Sequence, residues 1–322
     1  MKILITGSNG FIGKKLCLQL MEDGHDVVGV DIVPSAIDSP KASEHYKFIQ
    51  LDLNNSDLPD LSALGIDVVV HLAITMRPGR ADSFDKLLEG THKVLNAVQN
   101  ASTPFLLGMS SLSVLDFDAI PAGENINESV RRCSDLPSMG RYAALKSKQE
   151  EAFIDFATQH PSTKTIIIRP GLVYEGENIS DAYAGIIKTS AALIVCNEGE
   201  VPLIEVGSLI TGISKTVSTL NTLPKNTILH FVNDNLPTQA QYLRLLDSTK
   251  RMPHLCVKLH WRLFSVFIKC CFKVFKMFGL HAYLPDLLKP QAFATRLKPF
   301  KYDNQHARQL IGWIPHSDTL LK

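Results

Sequence analysis

Seven short apolar runs, rich in β-branched residues, recur along this chain with helical patterns between them. They are KILIT (2–6), DVVGVD (26–31), KFIQLD (47–52), DVVVHLA (67–73), FLLGMSS (105–111), TIIIRP (165–170) and ILHFV (228–232). Runs that are apolar almost throughout, instead of alternating, suit strands covered on both faces. Helical patterns occupy 11–22, 83–99, 139–159 and, more weakly, 211–220. Few folds admit this alternation. It predicts an α/β chain of the Rossmann type, a doubly wound parallel sheet of about seven strands with a smaller C-terminal lobe. Residues 1–173, with a return near 211–235, are expected to build the sheet domain, and 174–322 mainly the lobe. Ligands of such sheets bind at the carboxyl ends of the strands, which here fall at 7–13, 31, 52, 73, 111 and 170.

TGSNGFIG places Gly7, Gly10 and Gly13 between the first strand and the first helix. Gly7 permits a tight turn, Gly10 lets the backbone approach a phosphate, and Gly13 lets the helix pack close to the sheet. The helix N-terminus offers free N–H groups to a pyrophosphate. Asp31, 18 residues beyond Gly13, ends the second strand, where a carboxylate accepts from adenosine ribose hydroxyls. It would repel a 2′-phosphate, so NAD is expected over NADP. Asp52, at the end of the third strand, is a candidate for the adenine amine or a solvated loop aspartate.

Tyr142 and Lys146 stand four residues apart in GRYAALKSK (140–148), on one face of a helix. Either they are an ordinary surface pair or the lysine changes what the phenol can do. An ordinary phenol titrates near 10. A cation within about 4–6 Å, joined by a positively charged nicotinamide ring, would lower it toward working pH.

Composition excludes some partners. Net charge is +1, so nothing global points to nucleic acid. Six cysteines include no CxxC pair and no histidine at metal spacing, as expected of a reduced cytoplasmic chain without structural zinc. No run of about 18 uncharged apolar residues is present to span a bilayer, and MKILITG reads as a buried first strand, not a signal peptide.

GxxGxxG with Tyr142-xxx-Lys146 resembles the short-chain dehydrogenase/reductase superfamily. Four further matches resemble its extended branch, the NAD-dependent epimerase/dehydratase family acting on nucleotide sugars: HLA (71–73), EGTHKVLNA (89–97), RPGLVY (169–174) and DNQHARQLIGWIP (303–315). By that resemblance Ser111 of MSSLSVL stands where the family has its catalytic serine, holding a substrate hydroxyl against Tyr142, with Ser110 or Ser113 sharing the work. Lys146 would also bond the nicotinamide ribose. The cofactor surface would include Asn9, Phe11 and Ile12 of the glycine loop, Leu53, Leu72, Ala73 and Pro170. Leu87, Leu115 and Ser208 depart from the family's asparagine, tyrosine and aspartate.

The resemblance implies a cofactor that takes a hydride from a sugar carbon while Tyr142 takes the hydroxyl proton. A 4-epimerase returns the hydride to the other face of a keto-sugar; a 4-keto reductase or dehydrogenase moves it once. A dehydratase needs an acid pair where this chain has Leu112 and Ser113. A non-catalytic dinucleotide-binding regulator is the reading from another class. Arg244, Arg251, Arg296 and Lys298 are candidates for a substrate pyrophosphate, and the family implies a homodimer through 83–99 and 139–159. Finally, VKLHWRLFSVFIKCCFKVFKMFGL (257–280) predicts one helix with Lys258, Arg262, Lys269, Lys273 and Lys276 in an arc of about 60° and apolar residues over the rest. It would lie in an anionic membrane interface or be half-buried in the lobe or a subunit contact.

Overall fold

A computed structural model describes residues 1–35, 37, 42–75, 79, 82–249 and 252–316. The seven apolar runs form the seven strands of one sheet: β1 (Lys2–Thr6), β2 (Asp26–Asp31), β3 (Tyr46–Gln50), β4 (Val68–His71), β5 (Phe105–Met109), β6 (Lys164–Pro170) and β7 (Thr227–Phe231). Their order is β7-β6-β5-β4-β1-β2-β3, and every neighbouring pair is parallel. The order reverses between β1 and β4, which opens a crevice there at the carboxyl ends. β4 and β5 stop sooner than the apolar runs do, at His71 and Met109. The residues just past these two strands, Leu72 and Ala73 after β4 and Ser110 and Ser111 after β5, line that crevice.

Alternate side chains of each strand serve opposite faces. Ile3 and Ile5 pack with Leu16 and Leu20 of α1 (Phe11–Glu22). Leu4 packs with Val94 and Val98 of α2 (Phe84–Asn100) and with Phe153 of α3 (Arg141–Gln159). Gly108 of β5 is what lets α3 approach, because a Cβ there would meet the Phe153 ring at 2.5 Å.

The return segment begins earlier than its pattern suggests, as α4 (Val206–Ser218). Glu205 caps it, accepting from the Ser208 backbone N–H at 2.9 Å. Ser208 is wholly buried, and its carbonyl accepts from the Trp313 indole at 3.0 Å. Trp313, also wholly buried, meets the Phe231 ring edge-on at 4.7 Å. The C-terminal segment thus locks α4 onto β7.

The lobe is built around a three-stranded sheet of Gly185–Ile187, Ala191–Cys196 and Leu255–His260. Here the structure corrects the expectation of one helix over 257–280. Residues up to His260 pair in parallel with Ala191–Cys196, and only Trp261–Met277 is helix, α5. Lys258 therefore belongs to a strand, not to the basic side of the helix. The His260 side chain accepts from the Arg262 N–H and starts the helix at that point. α5 packs on α6 (Pro290–Leu297).

Candidate active site

A cavity of about 760 Å³ runs along the switch point from the glycine loop into the lobe. At one end Gly7 adopts φ +72°, and a Cβ there would meet the Ala73 backbone N at 3.1 Å. A Cβ on Gly13 would come within 2.0 Å of the Gly7 carbonyl. α1 begins beside this turn with no side-chain cap and no acidic residue in its first turn. Its N–H groups and positive end are therefore open to an anion. Asp31 accepts from the Asn9 N–H at 2.9 Å on one oxygen and from the Val33 N–H at 3.1 Å on the other. Each oxygen keeps a lone pair for a sugar hydroxyl. This glycine cradle and carboxylate fit a dinucleotide without a 2′-phosphate.

The other expected cofactor residues take their places on the wall. Gly10, Phe11, Ile12, Asp52, Leu53, Leu72, Ala73 and Pro170 all line the cavity. Asn9 does not; its amide donates to the carbonyls of Val33 and Pro34 and ties down the loop beyond β2. Asp52 closes its own turn, accepting from the Asn54 N–H at 3.0 Å and the Asn55 amide at 2.6 Å.

Farther along the cavity Ser111, Ser113, Tyr142 and Lys146 face the same space. Ser113 donates to the Ser111 hydroxyl from its own hydroxyl at 3.0 Å and its N–H at 3.2 Å. Ser111 accepts both and keeps its own proton for a donor role in the cavity. Lys146, 2% exposed, donates to the Met109 carbonyl at 2.7 Å and to Gln149 Oε1 at 2.9 Å. One of its three donors is left for a ligand.

Burial dominates the electrostatics of the pair. Burial pushes the Tyr142 phenol up to about 12. Burial likewise lowers the Lys146 ammonium to about 7, opposed by the nearby Glu150 carboxylate. Burial alone sets the phenol, so Tyr142 holds its proton at neutral pH.

Two buried networks that the sequence reading missed support these groups. Gln149 continues from Lys146, its amide donating to Thr91 Oγ1 at 3.1 Å and the Ala73 carbonyl at 3.3 Å, and lying 3.3 Å from His71 Nε2. His71 also contacts Thr6 Oγ1 at 2.7 Å and Thr91 Oγ1 at 3.0 Å. In the second network Arg169 grips Glu150 with Nη2 and Nε, at 2.6 and 3.0 Å, and Ser110 donates to the same carboxylate. Arg132 stands 3.6 Å away. The available signal was spacing: Tyr142, Lys146 and Glu150 are four residues apart on one face of α3.

His71 makes acid stability a test of the first network. Burial and the Lys146 charge lower its imidazole to about 3. The unfolded chain, with histidine near 6.5, takes up the proton first as pH falls. The stability from neutral His71 is therefore complete above about 6.5 and lost as pH falls from there toward 3. The unfolding free energy from urea titrations should drop over that window by up to about 1.4 kcal/mol per pH unit, and His71→Gln should flatten the slope. An unchanged slope would show that His71 is not held neutral.

On the lobe side, Arg296 and Tyr183 line the cavity, and the Arg296 charge opposes the rise that burial gives the Tyr183 phenol, which stands at about 12. Lys298, expected at a pyrophosphate, donates instead to the carbonyls of Phe117, Asp118 and Ile120. Arg244 is exposed on Gln239–Ser248 and does not line the cavity. Arg251 lies outside the described residues. Among the described lining residues the carboxylates are Asp31 and Asp52, both at the nucleotide end.

Comparison with known proteins agrees with this fold. The model of the NAD-dependent epimerase/dehydratase family matches residues 3–209. A UDP-glucose 4-epimerase of Mycolicibacterium smegmatis is 33% identical over 114 residues, 34% of this chain and 36% of that one. A 3-beta-hydroxysteroid dehydrogenase of Mycolicibacterium neoaurum is 30% identical over 157 residues, 45% of this chain and 42% of that one. The matched stretch thus spans less than half the length of either relative. In fold, the chain is similar to UDP-glucuronic acid 4-epimerase from Bacillus cereus in complex with NAD, with TM-score 0.67, 19% identity and coverage of 100% and 95%. It is also similar to UDP-glucose-4-epimerase from Stenotrophomonas maltophila with bound NAD and formylated UDP-arabinopyranose, with TM-score 0.69, 18% identity and the same coverage.

Proposed function

The chain belongs to the NAD-dependent epimerase/dehydratase family, and from that premise we propose that it binds NAD and epimerises C4 of a nucleoside-diphosphate sugar, with Tyr142 as the base. The observation that carries this reading is one cavity joining the glycine cradle and Asp31 to Ser111, Tyr142 and Lys146, with Arg296 beyond them. NAD would supply a reversible hydride acceptor and a positively charged ring. The chain's own residues do the rest. Asp31 and the turn before α1 hold the adenosine ribose and pyrophosphate. Ser111 donates to the C4 oxygen and fixes it against Tyr142. The Tyr142 phenolate, favoured by the Lys146 cation, accepts the proton of the sugar hydroxyl and returns it to the C4 oxygen at the end of the reaction. Arg296 pairs with the sugar nucleotide's diphosphate.

The absence of a carboxylate among the described lining residues at the reaction end argues against dehydration, which needs an acid and base beyond the tyrosine. One-way oxidation or reduction is the second reading, favoured by the similarity to a hydroxysteroid dehydrogenase. We place a homodimer contact on α2 and α3 as part of the same proposal. The test is incubation with UDP-glucose and UDP-N-acetylglucosamine, following the C4 epimer by NMR. Appearance of the epimer without net change in NADH supports the proposal. Stoichiometric NADH formation or consumption without epimer would establish the one-way reaction instead.

A further inference from the structure

Helix α5 is held to the lobe by a narrow seam. Trp261, Phe264, Ile268 and Phe272 are buried, spaced along one line of the helix. The first three pack with Val195 and with Phe293 and Leu297 of α6, and the Phe272 ring meets His281 edge-on at 6.1 Å. The opposite side is also apolar, yet it is open. Leu263 is 66% exposed, Val266 63%, Phe267 52%, Val274 49%, Met277 75% and Phe278 67%. These six fall within an arc of about 120° at 3.6 residues per turn. Leu280 and Tyr283, 47% and 67% exposed, continue the patch past the end of the helix.

Between seam and open stripe lie Arg262, Lys269, Lys273 and Lys276, all exposed, in an arc of about 60°. Lys269 pairs with Asp118 at 2.7 Å, and Lys276 is 4.0 Å from Asp135. Arg262 lies over the Trp261 ring, and Lys273 has no ion pair among the described residues. The chain as a whole has 33 cations and 32 carboxylates, but residues 255–283 carry five cations and no carboxylate. The segment itself therefore carries charge of one sign beside a broad apolar surface, and Asp118 and Asp135 from outside it partner two of the four helix cations.

This combination distinguishes between occupants. A second copy docked by two-fold symmetry would lay the same patch on itself, and its basic stripes would have no carboxylate in 255–283 to meet. An anionic lipid surface satisfies both halves: cations reach the headgroups while the apolar stripe enters the acyl boundary. None of the described helices is long and apolar enough to cross a membrane, so α5 would lie along the surface. We propose that the open face of α5, with its apolar stripe from Leu263 to Phe278 flanked by Arg262, Lys269, Lys273 and Lys276, docks the protein on anionic lipid membranes. α6, which α5 covers, carries Arg296, so the substrate side of the cavity stands one layer behind the docked face.

Flotation of the purified full chain with lipid vesicles tests this. The protein should float with vesicles of mixed phosphatidylcholine and phosphatidylglycerol at low salt, less at high salt, and little with phosphatidylcholine alone. Arg262→Glu with Lys273→Glu should weaken partition by about tenfold or more. Leu263→Gln, Phe267→Gln and Met277→Gln combined should abolish it, with unfolding midpoint and NAD binding unchanged. Failure of the wild type to float with the mixed vesicles at low salt would overturn the proposal. So would flotation indifferent to the charge reversals, which lie on the surface and leave the fold intact. Light scattering that shows the face variants turning a dimer into a monomer, with flotation unaltered, would assign the face to a second copy.

Discussion

A Tyr142→Phe variant is expected to bind NAD as the parent does and to lose roughly a hundred- to ten-thousandfold in turnover, the range of a positioned acid–base group. The substitution removes one oxygen from the cavity wall and leaves the ring in place. The phenol is half-buried and held at about 12 without ligand, so its ionisation must come from charges assembled with the cofactor. Lys146→Met should therefore do more than weaken binding. It should move the acidic limb of the rate profile to higher pH, because the phenol loses its resident cation. Turnover by the phenylalanine variant within a few-fold of the parent would remove Tyr142 from the chemistry. A chain that binds NAD but shows no turnover with any sugar nucleotide, parent and variant alike, would point to a dinucleotide-binding regulator.

How much the sequence reveals depends on what local patterns encode. Each strand of the main sheet is a run apolar enough to be covered on both faces, and α1 spans Phe11–Glu22 as its pattern predicts. Gly7, Gly13 and Asp31 act through backbone geometry and a strand end, which motif spacing captures. Ser111, Tyr142 and Lys146 were legible as residue types at known offsets, and the fold brings them to one cavity. Long flexible cations were poorly legible. Nothing local distinguishes Arg296, which reaches the cavity, from Lys298 two residues on, which is spent on backbone carbonyls. The strand Leu255–His260 was hidden because its partner, Ala191–Cys196, is remote in sequence. Gln149 and Glu150 escaped notice because a polar residue on a helix is usually solvated; only the packing of α3 on the sheet buries them.

Replacing Arg169 by Met should cost about 3–5 kcal/mol of stability, because it leaves the Glu150 carboxylate buried without its two-pronged partner. Glu150 is wholly buried and Arg169 is 2% exposed. Arg132, at 3.6 Å, is too distant to replace a contact at 2.6 Å. Pairing the change with Glu150→Leu should recover most of the loss, since a pair removed together leaves no lone charge. Activity should not recover with it. Glu150 is the carboxylate whose charge opposes the burial of Lys146, and it accepts from Ser110, the neighbour of Ser111. Without it the ammonium should lose its proton below about 7, bringing the alkaline limb of the rate profile to lower pH. Urea midpoints of both variants, with rate profiles of the double variant, separate the two roles. Stability and activity restored together would mean that the pair only fills space. Stability restored with the profile displaced would identify Glu150 as a positioning residue that keeps Lys146 charged beside the phenol.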